Sequence, residues 1–277
     1  MGADLSKRLV PDELWELATP LLPSFTARPQ GSGTAPYDER AVFTAVVYAL
    51  TTGCAGRHLP PTFGTSPDTG HRRFTVWTEA GLWPRLRRAV LDELGARGEV
   101  DWTSAIVDAS SVRAKNGGSL IGPNPVDGGK KGSKLHVLSD VQGIPLAVAV
   151  SGANMHDSLA LKPHIRGIPA VRSRRGPRRR RPVKLRAEAY ASAEHLAWLR
   201  ERGLVARDAR PGIESVERLG RHRWKIERSI AWVFGYRRLT VRYERMGLHF
   251  LALLGLAAAL TCYKKLAKLA SVGSRCR

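Results

Sequence analysis

AIVDASSV at residues 105–112, KLHVLS at 134–139 and IPLAVAV at 144–150 are three apolar, β-branched runs of strand length. KLHVLS alternates between apolar and polar residues, which predicts a strand with one solvated face, whereas IPLAVAV is continuous and predicts a buried one. DVQG at 140–143 supplies turn residues between the last two, so the three runs predict an antiparallel meander. After the meander the pattern alternates. A short helix is predicted over 158–165, a strand over 183–186, and a helix over 192–202 that Gly203 stops. A fifth strand follows over 204–207. A last helix is predicted over 222–235, with Trp224, Ile226, Ile230 and Val233 on its buried side.

The resulting order, β-β-β-α-β-α-β-α, predicts an α/β protein with an RNase H-like mixed sheet flanked by helices. Upstream, residues 1–98 read as a small all-α domain. Asp12 opens a helix bearing Leu14, Leu17 and Leu21, and a loop rich in Gly, Pro and Ser fills 28–36. Asp38, Glu39 and Arg40 open a second helix with Val42, Phe43, Val46, Val47 and Leu50 on its apolar side. Past a turn at 59–67, Ser66 is an N-cap and Pro67 a first helical residue. That helix buries Phe74 and Trp77 and is expected to turn His71, Arg72 and Arg73 to solvent. Helix, turn and basic helix is the outline of a helix-turn-helix; an ordinary helical domain with a solvated basic face fits the same pattern. The expected division is thus a small helical unit over 1–98, an α/β domain over 99–247, and an apolar C-terminal helix and tail over 248–277.

Charge narrows the function. Of 277 residues, 45 are Lys or Arg and 24 are Asp or Glu, a net charge of +21, while 43% are hydrophobic. The apolar content excludes wholesale disorder, and the charge points to a polyanion, nucleic acid first and an anionic membrane second. The N-terminus MGADLSKRLVPDELWEL has acidic residues and no apolar centre, so no signal peptide is expected. FLALLGLAAAL at 250–260 has 11 residues, short of the roughly 20 needed to span a bilayer. It predicts a buried helix, and with it no membrane partner and a cytoplasmic, nucleoid-associated protein. Cys54, Cys262 and Cys276 are widely spaced and form no C-x-x-C, so neither a disulfide framework nor a zinc knuckle is expected. VRSRRGPRRRR at 171–181 is arginine at seven of eleven positions; it predicts a surface loop that rides on phosphates.

Two carboxylates stand out. Asp108 lies inside an apolar strand, where it must be paired, solvated at a strand end, or metal-bound. Glu227 sits in RWKIERSIAW between Arg223 and Arg228, and an Arg223–Glu227 ion pair one turn apart is its structural alternative. On an RNase H-like fold the first strand and last helix are neighbours, so the two carboxylates would share a cleft. Their hard oxygen donors suit Mg²⁺.

The chain resembles bacterial insertion-sequence transposases of the DDE type, in the insertion-sequence-five group, over nearly its whole length. The stretches that carry the resemblance are LPPTFGTSPDTGHRRFTVWTEAGLW, IVDASSVRAKNGG, GPNPVDGGKKGSKLHVLSD, GIPLAVAVSGANMHD, RPVKLRAEAY and LGRHRWKIERSIAWVFGYRRL. The resemblance implies an N-terminal module binding the element's terminal inverted repeats, and a catalytic domain that cuts DNA and joins it to target DNA. It implies two Mg²⁺ ions, for which Mn²⁺ can substitute, and a homo-oligomer, expected as a dimer, on double-stranded DNA. It puts the first catalytic Asp at Asp108 and the catalytic Glu at Glu227, in the R-x-x-x-E signature from Arg223. Arg72 and Arg73 are the expected DNA contacts of the N-terminal helix. Lys115, Lys130, Lys131 and Lys134 around the strands, with Arg223 and Arg228, are expected to hold phosphates near the metals.

The second acidic position departs from the pattern. Relatives read as Asp, two residues, then Tyr; here the stretch is Arg186-Ala187-Glu188-Ala189-Tyr190. Counted back from Tyr190 the Asp position is Ala187, which has no carboxylate; read instead as an in-frame loss across adjacent Asp-Lys codons, Glu188 becomes the third metal ligand, one methylene longer than Asp and displaced along the backbone. Asp157 in NMHD is a nearby carboxylate with a structural reading. Gly56 stands where relatives tend to carry Trp, and Asp208 where an apolar residue is expected. A catalytically inactive DNA-binding remnant is therefore the alternative function, and a nuclease without strand transfer a third.

Overall fold

The computed structural model describes residues 2–24, 38–186, 192–206 and 230–275. Helices come first: α1 (Gly2–Leu9), α2 (Asp12–Ala18), α3 (Glu39–Thr52), α4 (Pro67–Glu79) and α5 (Leu82–Arg97). The sequence signals explain their starts. The Asp38 carboxylate accepts the backbone N–H groups of Arg40 at 2.9 Å and Ala41 at 3.1 Å, and the Ser66 hydroxyl accepts that of Thr69 at 3.2 Å ahead of Pro67. Such caps satisfy donors that a helix N-terminus leaves without partners. Phe43 on α3 meets Trp77 on α4 and Trp83 on α5 with ring centroids 6.1 and 6.0 Å apart, which fastens the three helices.

The sheet is built from β1 (Ser104–Ala114), β2 (Gly122–Pro123), β3 (Lys131–Asp140) and β4 (Pro145–Gly152). Helix α6 (Ser158–Arg166), β5 (Lys184–Arg186), α7 (Ala193–Arg200), β6 (Val205–Ala206), β7 (Val241–Arg242) and α8 (Gly247–Arg275) follow. β1, β3 and β4 form the expected antiparallel meander, and β5 and β6 add in parallel on the other side of β1. The path β4-β3-β1-β5-β6 is the RNase H-like arrangement, with β1 central. Asp140 closes the hairpin that DVQG foretells. Its Oδ1 accepts the N–H groups of Gln142 and Ile144, and its Oδ2 accepts that of Asp101. Gly143 takes the left-handed φ of 87° that the turn needs.

Helix α8 packs against α5 on one side and β4 on the other. Phe250, Leu254, Leu256, Ala257, Ala258 and Ala259 are fully buried, as the run at 250–260 predicts. Among the described residues α8 alone is long and apolar enough to cross a membrane, and most of it is buried inside the protein. One apolar core runs from Val10 through the sheet to Leu266. Cys54 and Cys262 are free thiols, and burial pushes Cys262 up to about 12; Cys276 lies outside the described residues.

Candidate active site

The site starts from β1. Asp108 sits mid-strand and is partly buried, its Oδ1 accepting the N–H of Ala109 at 2.7 Å. Across the ladder it pairs with Val137, which in turn pairs with Val148 on β4. Side chains directly opposite share a face, so Asp108 stands among apolar neighbours, on the face where Val148 lines a cavity with Leu251, Ala252 and Gly255 of α8. On the other side of β1 the parallel register sets Ile106 level with Arg186, the last residue of β5. The chain therefore leaves β5 close to the level of Asp108, and Glu188 is two residues further along the sequence.

Glu188, Arg223, Glu227, Arg228 and Asp208 lie outside the described residues. Among the described residues no group of three His, Cys, Asp or Glu comes together. The described structure thus supplies one of the three expected carboxylates, a hard oxygen donor of the kind Mg²⁺ takes.

The basic candidates divide. Arg72 is exposed on α4. Arg73 is not: it is 7% exposed, pairs with Glu39 of α3, and lies 5.5 Å from the centre of the Trp77 ring. It joins α3 to α4, which corrects the expectation that it faces solvent to meet DNA. Lys115 is exposed just beyond β1, its N–H bonded to the Arg242 carbonyl at 2.9 Å. Lys130 and Lys131 are also exposed. Lys134 is opposite Ser111, three residues from Asp108 and so on the opposite face of the sheet. Its ammonium donates to the Met155 carbonyl at 2.8 Å and to Asp157 at 2.9 Å. Lys134 and Asp157 therefore satisfy each other on the α6 side, away from the face of Asp108. This removes Lys134 as a phosphate contact beside Asp108 and agrees with the structural reading of Asp157.

Arg242 escapes the sequence reading. It is fully buried, and its guanidinium donates to the carbonyls of Ser119, Leu120 and Glu244 and to the Ser133 hydroxyl. It thereby ties the connection between β1 and β3 to the start of α8. An arginine in a basic stretch, YRRLTVRYERM, gives no sequence signal that it is the buried one. Gly56 faces open space: nothing lies within 4 Å of where its Cβ would be, and it lines a cavity of about 460 Å³ with Leu50, Phe74, His249 and Leu253. That is room for a large side chain at the position where an aromatic residue is expected.

Comparison with known proteins completes the assignment. A family model described as "Transposase DDE domain" matches residues 103–262, more than half of the chain, and one described as "Putative transposase of IS4/5 family" matches residues 10–87. A putative transposase for insertion sequence element IS402 of Burkholderia cepacia is 40% identical over 146 residues, which cover 52% of this chain and 69% of that protein. An uncharacterized 16.2 kDa protein of the same insertion element and organism is 38% identical over 123 residues, covering 44% of this chain and 84% of its own length. Among solved structures, the Mos1 strand transfer complex aligns over 87% of this chain and 81% of its own, with a TM-score of 0.27 and 11% identity; the fold assignment rests on the strand order given above. The chain belongs to the DDE transposases of the IS4/5 family.

Proposed function

We propose that this transposase binds the terminal inverted repeats of its insertion sequence and cuts and joins DNA strands with divalent metal ions. The helices of residues 1–98 would supply end binding, Asp108, Glu188 and Glu227 would be the carboxylate ligands, and the protein would act as an oligomer on DNA. The observation that carries the reading is Asp108 itself: a partly buried carboxylate at the middle of the central strand, with β5 ending at its level. When bound, two Mg²⁺ ions would activate a water or a 3′-hydroxyl and neutralise the leaving oxygen. Asp108 would hold them from the sheet side, its strand fixed at this level by the antiparallel ladder to β3. Lys115 at the exit of β1, with Arg223 and Arg228, would neutralise nearby phosphates, and Arg72 would contact DNA from α4.

A second reading has its own support. Ala187-Glu188 replaces the expected Asp, and a ligand misplaced by about 1 Å can cost on the order of 10²-fold in rate. This copy would then be a DNA-binding remnant. The test is Mg²⁺-dependent nicking of a duplex carrying the element's terminal repeat. The expected result is nicking by the natural chain that falls to background in Asp108→Asn and in Glu227→Gln. Nicking only after Glu188 is replaced by Asp-Lys would establish the remnant. Nicking that survives Asp108→Asn would overturn the site.

A further inference from the structure

The arginine run at 171–181 is not the free loop its composition suggests. Val171 is fully buried, and its backbone exchanges two hydrogen bonds of 2.8 Å with Arg179, so the run folds back as a hairpin. Asp92 on α5 anchors it. Its Oδ1 accepts the Arg172 N–H at 2.7 Å, and its two oxygens accept from Arg178 Nη1 at 2.8 and 2.9 Å. The same nitrogen donates to the Ala170 carbonyl at 2.7 Å. Close approach depends on Gly95: a Cβ there would lie 2.1 Å from the Arg172 carbonyl oxygen and 2.7 Å from Val171 Cγ1.

One arginine is thus turned to anchoring, and the others are displayed. Arg174, Arg175, Arg179, Arg180 and Arg181 are exposed, and none pairs with a carboxylate among the described residues. Arg178 to Arg181 line an open groove with Trp102 and Val183. The groove sits at the start of β5, where the Val183 N–H bonds the Trp102 carbonyl. Asp108 is six residues along β1 from Trp102, about 20 Å at roughly 3.3 Å per residue.

We infer that this docked hairpin is a preformed binding surface for the phosphate backbone of duplex DNA, separate from the site at Asp108. Guanidinium forks match phosphate oxygens in pairs, and a hairpin already held on α5 loses little conformational freedom on binding. That the polyanion is DNA rests on the transposase function proposed above; that the surface is built rather than merely charged rests on Asp92, Gly95 and Val171.

The test measures affinity of the full chain for a short duplex lacking the terminal repeat, without divalent ions, across a salt series. Nicking plays no part in it, so failure here and failure at Asp108 are separate results. Arg174, Arg175, Arg180 and Arg181 all changed to Gln should flatten the slope of log K against log salt by about 3.6, the value for four lost phosphate contacts. Asp92→Ala keeps every arginine and raises the net charge, yet should weaken binding about tenfold because the platform undocks. Gly95→Ala should act in the same direction. An unchanged slope in the fourfold variant would overturn the surface. Equal or tighter binding by folded Asp92→Ala, checked by circular dichroism, would overturn the docked platform. Loss of binding to single-stranded RNA with duplex binding intact would overturn DNA as the partner. The fourfold variant alters exposed side chains alone and keeps the test decisive if the α5 variants do not fold.

Discussion

Arg73 carries a formal positive charge into a site that is 7% exposed, and its two partners account for it. Glu39 supplies the counter-charge and Trp77 the ring face, one helical turn further along α4. The spacing was readable: Arg73 and Trp77 are four apart and share a helix face, while Arg72 points a step round the helix. The basic triplet His71-Arg72-Arg73 masked that spacing by reading as one solvated patch. Asp108 stood out for the opposite reason, because a carboxylate inside an apolar strand has few structural explanations. Arg73→Ala should lower stability by about 2–3 kcal/mol, below the value for a fully buried pair because Glu39 keeps some exposure. It should leave the DNA affinity of the folded protein unchanged, whereas Arg72→Ala should weaken DNA binding. Denaturant unfolding and a binding titration on each variant check this. A stable Arg73→Ala protein with weakened DNA binding would restore Arg73 to the interface.

At the scale of elements, the meander was legible because its strands carry period-two or continuous apolar runs bounded by a turn. Its ends were not: β3 begins at Lys131 rather than 134, since Lys131-Gly132-Ser133 has no apolar signal and is held by pairing with Val112 and Arg113. Helix α5 was folded into a general helical reading of residues 1–98, as Pro84 and Gly95 interrupt its pattern. The arginine hairpin was invisible because its anchor, Asp92, is some eighty residues earlier in the chain. Packing of α6 on the meander also sets a pH response. His136 on β3 and His164 on α6 pack at a tilt with ring centroids 5.7 Å apart, and burial holds both at about 4. The unfolded chain titrates them near 6.5, so it takes up protons that the fold refuses, and stability falls as pH drops from 6.5 towards 4. Asp140 opposes this: burial raises it to about 6, so the fold gains a proton there as pH falls from 6. Near pH 5 the three groups leave a net uptake of one proton on unfolding. His164→Leu should therefore remove about 1.4 kcal/mol per pH unit from the pH slope of stability. Denaturant midpoints from pH 4.5 to 7 for both proteins measure it, and parallel profiles would refute the histidine pair as the source.

At the scale of the molecule, the placement of α8 makes the N-terminal helices and the sheet depend on each other. Its apolar centre was legible at 250–260, but not its length, because the turns beyond carry lysines that lie at the surface. Nor did the sequence reveal that one helix serves both halves: α5 covers it on one side and β4 on the other, so the core passes through residue 98 without a break. A cavity made in α8 should accordingly be felt by both. Leu254 is fully buried, and Leu254→Ala should cost about 2–5 kcal/mol. In a shared core that loss moves one cooperative transition, so circular dichroism, weighted towards the helices, and tryptophan fluorescence should shift together to the same lower midpoint. If residues 1–98 kept a core of their own, unfolding would show two steps and the substitution would move the step in which α8 detaches. Coincident, equally shifted curves distinguish the shared helix from that arrangement, because no independent N-terminal unit could report the loss of a side chain 150 residues away at the same denaturant concentration.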